Sequence, residues 1–106
     1  MQIEKIYYTA KFAKNFKKLP QNLKLKTEKK VNLFRQNPKD TSLKTHKLSG
    51  ALGSFFSFSV NYSYRIIFAF ESSKEVTFID IGDHSIYSWL YNIYIKEMQK
   101  GLTLCR

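Results

Sequence analysis

Apolar positions recur along this chain with two different periods, and the change between them falls just after Leu43. Residues 3–8 (IEKIYY) are short and rich in β-branched and aromatic side chains, which predicts a strand. Thr9 then has the character of a helix N-cap. From Ala10 to Leu19, Phe12, Phe16 and Leu19 return at helical spacing while Lys11, Lys14, Lys17 and Lys18 occupy the rest of the surface, an amphipathic basic helix. Pro20 interrupts it. A second helix is predicted to about Gln36, with Leu23, Thr27, Val31 and Phe34 on one stripe and Asn37-Pro38 as its stop. So short a connection makes the two helices an antiparallel hairpin. Leu25 and Leu33 fall off the stripe, leaving either a wide buried face or an apolar patch for a partner.

Beyond Leu43 the period becomes two. In residues 54–61 (SFFSFSVN), Phe56, Phe58 and Val60 alternate with Ser57, Ser59 and Asn61. Residues 64–70 (YRIIFAF) put Tyr64, Ile66, Phe68 and Phe70 on one face and Arg65, Ile67 and Ala69 on the other, and residues 75–82 (EVTFIDIG) form a third run. Connectors this short exclude crossover helices, so the three runs predict an antiparallel meander whose apolar face is covered by the helices of residues 10–36. Residues 85–100 read as a helix ending at Gly101. It is apolar on nearly every side, with Tyr87, Tyr91, Tyr94 and Met98 in one row, Ile86, Leu90 and Ile93 in another, and Trp89 beside the second. One core does not require both rows. Trp89, Tyr91 and Tyr94 are therefore expected to lie partly exposed until a partner or a second copy covers them, unless the helix packs across the sheet and extends the core.

At 106 residues the chain has room for one domain, and 43% hydrophobic with 16% aromatic content is too apolar for a disordered tail. The net charge of +10 changes the picture more. Residues 1–50 carry thirteen basic and three acidic side chains and residues 51–106 five of each, so the whole excess sits in the first half. Lysines without alternating acids suit a polyanion, whose condensed counterions are released on binding; an acidic protein or a merely solvated face would fit the same charges. No apolar run nears the roughly 18 residues of a membrane span, and charges interrupt the N-terminal stretch where a secretory leader would be apolar. A cytoplasmic protein is expected. One cysteine, Cys105, leaves no internal disulfide.

Two histidines 38 positions apart, with no Cys pair and no acidic cluster, give no metal-ligand spacing, and neither GxxxxGK nor GxGxxG occurs. Metal-free, cofactor-free chemistry is what remains open. Its candidates are the polar groups at strand ends or opposite the apolar face: His46, Lys47, Ser59, Arg65, Asp83, His84 and Tyr87. Metal-free RNA cleavage uses such groups. A base takes the ribose 2′-hydroxyl proton, a cation holds the charge growing on phosphorus, and an acid protonates the leaving 5′-oxygen. Imidazole suits the proton transfers and guanidinium suits the phosphate. Incidental surface histidines and an arginine in a surface ion pair would leave the same residues.

The order of these segments, a basic helical hairpin followed by HKLSGALGSFFSFSVNYSYRIIFAF and VTFIDIGDHSIY, resembles the RelE/ParE superfamily of bacterial toxins over residues 1 to about 87. His46, Leu48 and Gly50 make its HxLxG segment. The resemblance implies an α+β, RelE-like (microbial ribonuclease-like) fold: one domain over residues 1–106, with an N-terminal strand and helical hairpin on an antiparallel sheet and a C-terminal helix at about 85–100. It is nearest the YafQ-like, mRNA-cleaving branch. By that likeness His46, Arg65, His84 and Tyr87 are the catalytic candidates and Lys47 a reserve for phosphate binding or proton transfer, while the charge layout makes Lys11, Lys14, Lys17 and Lys18, with Lys47, the RNA-binding candidates. Ser59 and Ser63 stand where YafQ-like enzymes carry a histidine and an aspartate. The implied function is a type II toxin that cuts mRNA at the ribosome without metal or cofactor and is neutralised by a cognate antitoxin; a homodimer through the C-terminal helix is a further expectation. The alternatives are a ParE-like DNA gyrase inhibitor and a catalytically inert RNA-binding relative.

Overall fold

Thr9 joins the first strand to the first helix, and its hydroxyl serves both. It accepts from the Phe12 N–H at 3.0 Å as the helix N-cap and donates to the Ile79 carbonyl at 2.6 Å, tying the junction to the neighbouring strand of the sheet. The computed structural model describes residues 2–93. Along them run β1 (Lys5–Tyr8), α1 (Ala10–Lys17), α2 (Gln21–Gln36), β2 (His46–Lys47), β3 (Phe56–Ser59), β4 (Arg65–Ser72) and β5 (Glu75–Gly82), with short 3-10 turns at Thr41–Leu43 and Gly50–Leu52. A third helix, α3, follows at residues 85–93. Tyr94, Met98 and the cap at Gly101 lie outside the described residues.

The five strands form one sheet in the order β1-β5-β4-β3-β2. Strands β2 to β5 pair antiparallel, as the meander requires, and β1 lies parallel to β5. That parallel edge is possible because the chain between β1 and β5 crosses over through the helices. The predicted core forms. Phe12, Phe34, Phe58, Ile66, Phe68 and Phe78 are buried in one cluster, with Phe16, Val31 and Phe56 packed against it. Phe34 is its hub, 4.5 Å from the Phe58 ring and 4.8 Å from Phe68. Leu33 joins this core whereas Leu25 stays 51% exposed, so α2 has a widened buried face and a single protruding leucine.

Two features depart from simple alternation. Ile67 pairs with Asp80 but Phe68 pairs with Phe78, so Ile79 is an extra residue and a bulge reverses the phase of β5. Val76, Phe78 and Ile81 consequently share the main core, while Ile79 packs on the opposite face. Asp80, 1% exposed, accepts from Asn15 Nδ2 at 2.7 Å and from the Ile81 N–H at 2.8 Å, which binds α1 to the bulge. The second departure is α3. It crosses the other face of the sheet, where Ile86 and Leu90 bury with Leu48, Leu52 and Ile67. Gly82 permits this return, because a Cβ there would sit 2.6 Å from Ile86 Cγ2. Tyr87 and Trp89 are half-buried against this cluster while Tyr91 is 49% and Ile93 41% exposed, so the first turns of the helix extend the core and residues from each row are presented beyond them. No helix among the described residues is long and apolar enough to cross a membrane.

Candidate active site

The strand register puts one polar row on the α3 face. His46 pairs with Ser57 and Ser57 with Ile67; two residues along, Ser59 pairs with Arg65 and Arg65 with Gly82. Directly paired residues share a face, as do residues two apart, so His46, Ser57, Ser59 and Arg65 project from the same side. Strand spacing and rise place the Cα atoms of His46 and Arg65 roughly 12 Å apart. Both side chains can reach inward from the ends of that span.

Arg65 is half-buried, and its Nη1 donates to Ser59 Oγ at 2.9 Å. Among the described residues the ion pair formed is Lys74 with Glu4, so the Arg65 guanidinium faces no carboxylate within 4 Å. Four of its five N–H donors lack a side-chain acceptor in this arrangement. Beside it lies an open depression of about 580 Å³ lined by residues 62–65 and 83–85, which brings His84 and Arg65 together. The His84 and Tyr87 rings are 5.7 Å apart, and the Tyr87 hydroxyl donates to Ser57 at 3.1 Å, pinning the start of α3 over β3. His46 is exposed. Its Nδ1 lies 3.0 Å from the Lys44 carbonyl, an atom that can only accept, so donation from Nδ1–H leaves Nε2 with the lone pair in the neutral ring. Lys44 is left-handed, with φ +52°, and that turn aims its carbonyl back at the ring.

At the mouth of the site Asp83 accepts from the Ser85 hydroxyl at 2.7 Å and from its N–H at 2.9 Å, and these bonds hold its carboxyl below the usual value of 3.8. No three His, Cys, Asp or Glu side chains come together among the described residues. The basic candidates separate. Lys47 pairs with Phe56 and so takes the opposite side of the pleat from His46. Lys11 lies over the Trp89 ring at 4.3 Å, and none of Lys11, Lys14, Lys17 and Lys18 lines the walls around Arg65. Instead a second depression of about 290 Å³ gathers Lys26, Lys30 and Lys44 against Arg65 and residues 59–62. Lys26 and Lys30 stand one helical turn apart on α2, a spacing visible in the sequence; their approach to Lys44 depends on the tertiary fold.

No protein-family model matches the sequence, and no curated protein matches it. Solved structures do. A YoeB/ParE toxin from Agrobacterium tumefaciens superposes with a TM-score of 0.66 at 14% identity, covering 76% of this chain and 99% of that one. The E. coli DinJ-YafQ toxin-antitoxin complex gives 0.61 at 20% identity over 81% and 97%, and the archaeal RelE-RelB complex from Pyrococcus horikoshii gives 0.61 at 15% over 78% and 96%. The likeness is one of fold: this chain has the α+β architecture of the RelE/ParE toxins.

Proposed function

We propose that the chain is the toxin of a type II toxin–antitoxin pair and acts as a metal-independent endoribonuclease on mRNA at the ribosome. The observation that carries the reading is Arg65: a guanidinium with no carboxylate partner, steadied by Ser59 and opening onto the same depression as His84. A half-buried cation with free donors is suited to a phosphate, because the guanidinium fork matches two oxygens and partial desolvation strengthens the attraction. In this reading His46 Nε2 removes the 2′-hydroxyl proton, and the freed oxygen attacks phosphorus. Arg65 holds the charge on the non-bridging oxygens. The bond to the 5′-oxygen breaks as His84 supplies its proton, leaving a 2′,3′-cyclic phosphate. Tyr87 acts as a positioning residue through Ser57, since its hydroxyl is already engaged there.

A cognate antitoxin is the proposed protein partner. Its support is the fold shared with toxins that occur in complexes, together with a basic surface and the exposed Tyr91 and Ile93 on α3, which an antitoxin or a second copy would cover. The test is expression in growing bacteria without antitoxin, alongside cleavage of RNA in EDTA. Growth arrest and a cyclic-phosphate product, both lost in the His46→Ala/His84→Ala double variant, support the proposal. Arrest that persists unchanged in the double variant replaces it with non-catalytic inhibition of the gyrase-binding kind, and a harmless wild type replaces it with an inert relative.

A further inference from the structure

The most exposed large hydrophobic side chain among the described residues is Tyr62, 95% accessible at the β3–β4 turn, three residues before Arg65. Its backbone is held. Asn61 Oδ1 accepts from the N–H groups of Ser63 at 2.9 Å and Tyr64 at 2.7 Å, and the N–H groups of Val60 and Asn61 both donate to the Tyr64 carbonyl. A tight, polar-braced turn therefore presents a bare aromatic ring to solvent. One exposed tyrosine is ordinary by itself, so its neighbours give it its significance.

Its surroundings indicate what it meets. Tyr62 lines both depressions beside Arg65: the one containing His84 and Asp83, and the one containing Lys26, Lys30 and Lys44. It is thus a ridge between two basins whose ionic groups are mainly cations, Asp83 being the one carboxylate in their walls. A protein partner recognised through tyrosine would be expected to find apolar neighbours around it. Tyr64 in the same wall is half-buried, which leaves Tyr62 as the fully presented ring. A protruding ring among separated cations instead fits a flexible single strand, phosphates on the cations and a base on the ring, because every base offers a π-face.

We infer that Tyr62 is a stacking platform for one unpaired nucleobase of the RNA whose scissile phosphate lies on Arg65, with Lys26, Lys30 and Lys44 receiving a flanking phosphate. The inference rests on the ribonuclease reading and adds to it a base-contacting residue and a path for the strand. Stacking is direction-tolerant and sequence-tolerant, so the ring sets where the strand is gripped and favours bases with large π-faces.

The experiment measures fluorescence anisotropy of the full chain with a labelled, uncleavable 2′-O-methyl RNA heptamer and with the same backbone made abasic. Wild type is expected to prefer the base-bearing strand, and Tyr62→Ala to weaken that strand alone by roughly 5- to 150-fold. Tyr62→Trp should restore the preference. Lys26→Ala/Lys30→Ala should weaken both strands alike and make binding less salt-dependent, the mark of lost phosphate contacts. Because Tyr62 is 95% accessible, its variants should retain the wild-type melting temperature. Equal affinity of wild type and Tyr62→Ala for the base-bearing strand overturns the stacking role and assigns the ring to a protein partner, while leaving the ribonuclease reading intact. Equal weakening of both strands also overturns it. Failure of wild type to bind either strand overturns the inference together with the RNA reading beneath it.

Discussion

The two faces of the sheet are built to different ends. Under α1 and α2 the phenylalanines close on one another, Phe34 touching Phe58, Phe68 and Phe78 with ring centroids 4.5 to 5.6 Å apart. On the opposite face α3 and the segment around Leu48 and Leu52 cover a smaller cluster, centred on Ile67. Next to that cluster the strands carry His46, Ser57, Ser59 and Arg65 in place of apolar residues. The difference shows how a small domain provides both stability and a site. One face takes most of the aromatic burial, which lets the other hold a cation half-desolvated at the edge of an apolar patch, where electrostatic attraction exceeds that in open water.

The contrast is broken most directly from the aromatic side. Phe68 is fully buried and lies within 6 Å of the Phe34, Phe56, Phe58 and Phe70 rings. Phe68→Ala is expected to cost about 3 to 5 kcal/mol in urea unfolding, much of the stability of a small domain. Leu90→Ala, in the cluster beneath α3, is expected to cost nearer 2 kcal/mol. Equal losses from the two would show one core spanning both faces and would remove the division of labour.

Arg65 gives the converse result. Arg65→Ala should lower RNA cleavage by about 10²-fold or more, since it deletes the charge that answers the phosphorane, while removal of its bond to Ser59 changes stability by only about 1 kcal/mol. Arg65→Lys should recover part of the rate but not the bidentate geometry. Cleavage and urea unfolding measured on the same variants separate the effects. A rate that falls only in proportion to lost folded protein would make Arg65 a structural residue.

Much of this arrangement was legible in the sequence because period reports burial. The stripes Phe12–Phe16 and Val31–Phe34, and the alternation of Phe56, Phe58, Ile66 and Phe68, anticipate the main core. What period could not convey is long-range or irregular. A two-residue strand at His46–Lys47 has no period, so Lys47 could be grouped with His46 although the pleat sets them on opposite sides. The extra Ile79 reverses β5 without any local mark, and the parallel pairing of β1 arises from the path of the whole chain. For the site, Arg65 and His84 stood out by residue type and place. Lys26 and Lys30 belonged to the basic first half without being set apart from its other lysines, and their meeting with Lys44 was hidden because α2 and the turn before β2 come together only in three dimensions. Tyr62 was hidden by its resemblance to the buried aromatics around it.

The seam between the faces is sharpened at Gly82, opposite Arg65 and beneath Ile86. A Cβ at 2.6 Å from Ile86 Cγ2 is too close to accommodate without movement, and the β-branched neighbour has little freedom to turn away. Gly82→Ala is expected to destabilise by about 1 to 3 kcal/mol, and a smaller side chain at 86 should relieve part of it. Ile86→Ala in the Gly82→Ala background should therefore lose less than the two single changes added together. Strict additivity would show that α3 does not press on β5 there.

The smallest expected effect lies at the polar entrance to the open face. Asp83 is held below the usual 3.8 first by the Ser85 hydroxyl and then by the Ser85 N–H, a contact that fixes the turn leading into α3. A carboxyl with a depressed folded-state pKa stabilises the fold above its unfolded value. That contribution fades as pH falls through the lower folded value, because the protonated group no longer accepts both bonds as a charge. Asp83→Asn keeps an acceptor but removes the titration, so its deficit relative to wild type should be constant at neutral pH and shrink between about pH 5 and pH 2. Solvent exposure keeps the difference small, and it should show in urea midpoints rather than in a gross loss of structure. Asp40 makes the same pair of contacts to Ser42 outside this entrance, so Asp40→Asn should show the same acid-limb change. If Asp83→Asn keeps a fixed deficit down to the lowest pH, the carboxylate is not what fastens the start of α3, and the Tyr87–Ser57 bond with the burial of Ile86 and Leu90 holds it against the sheet.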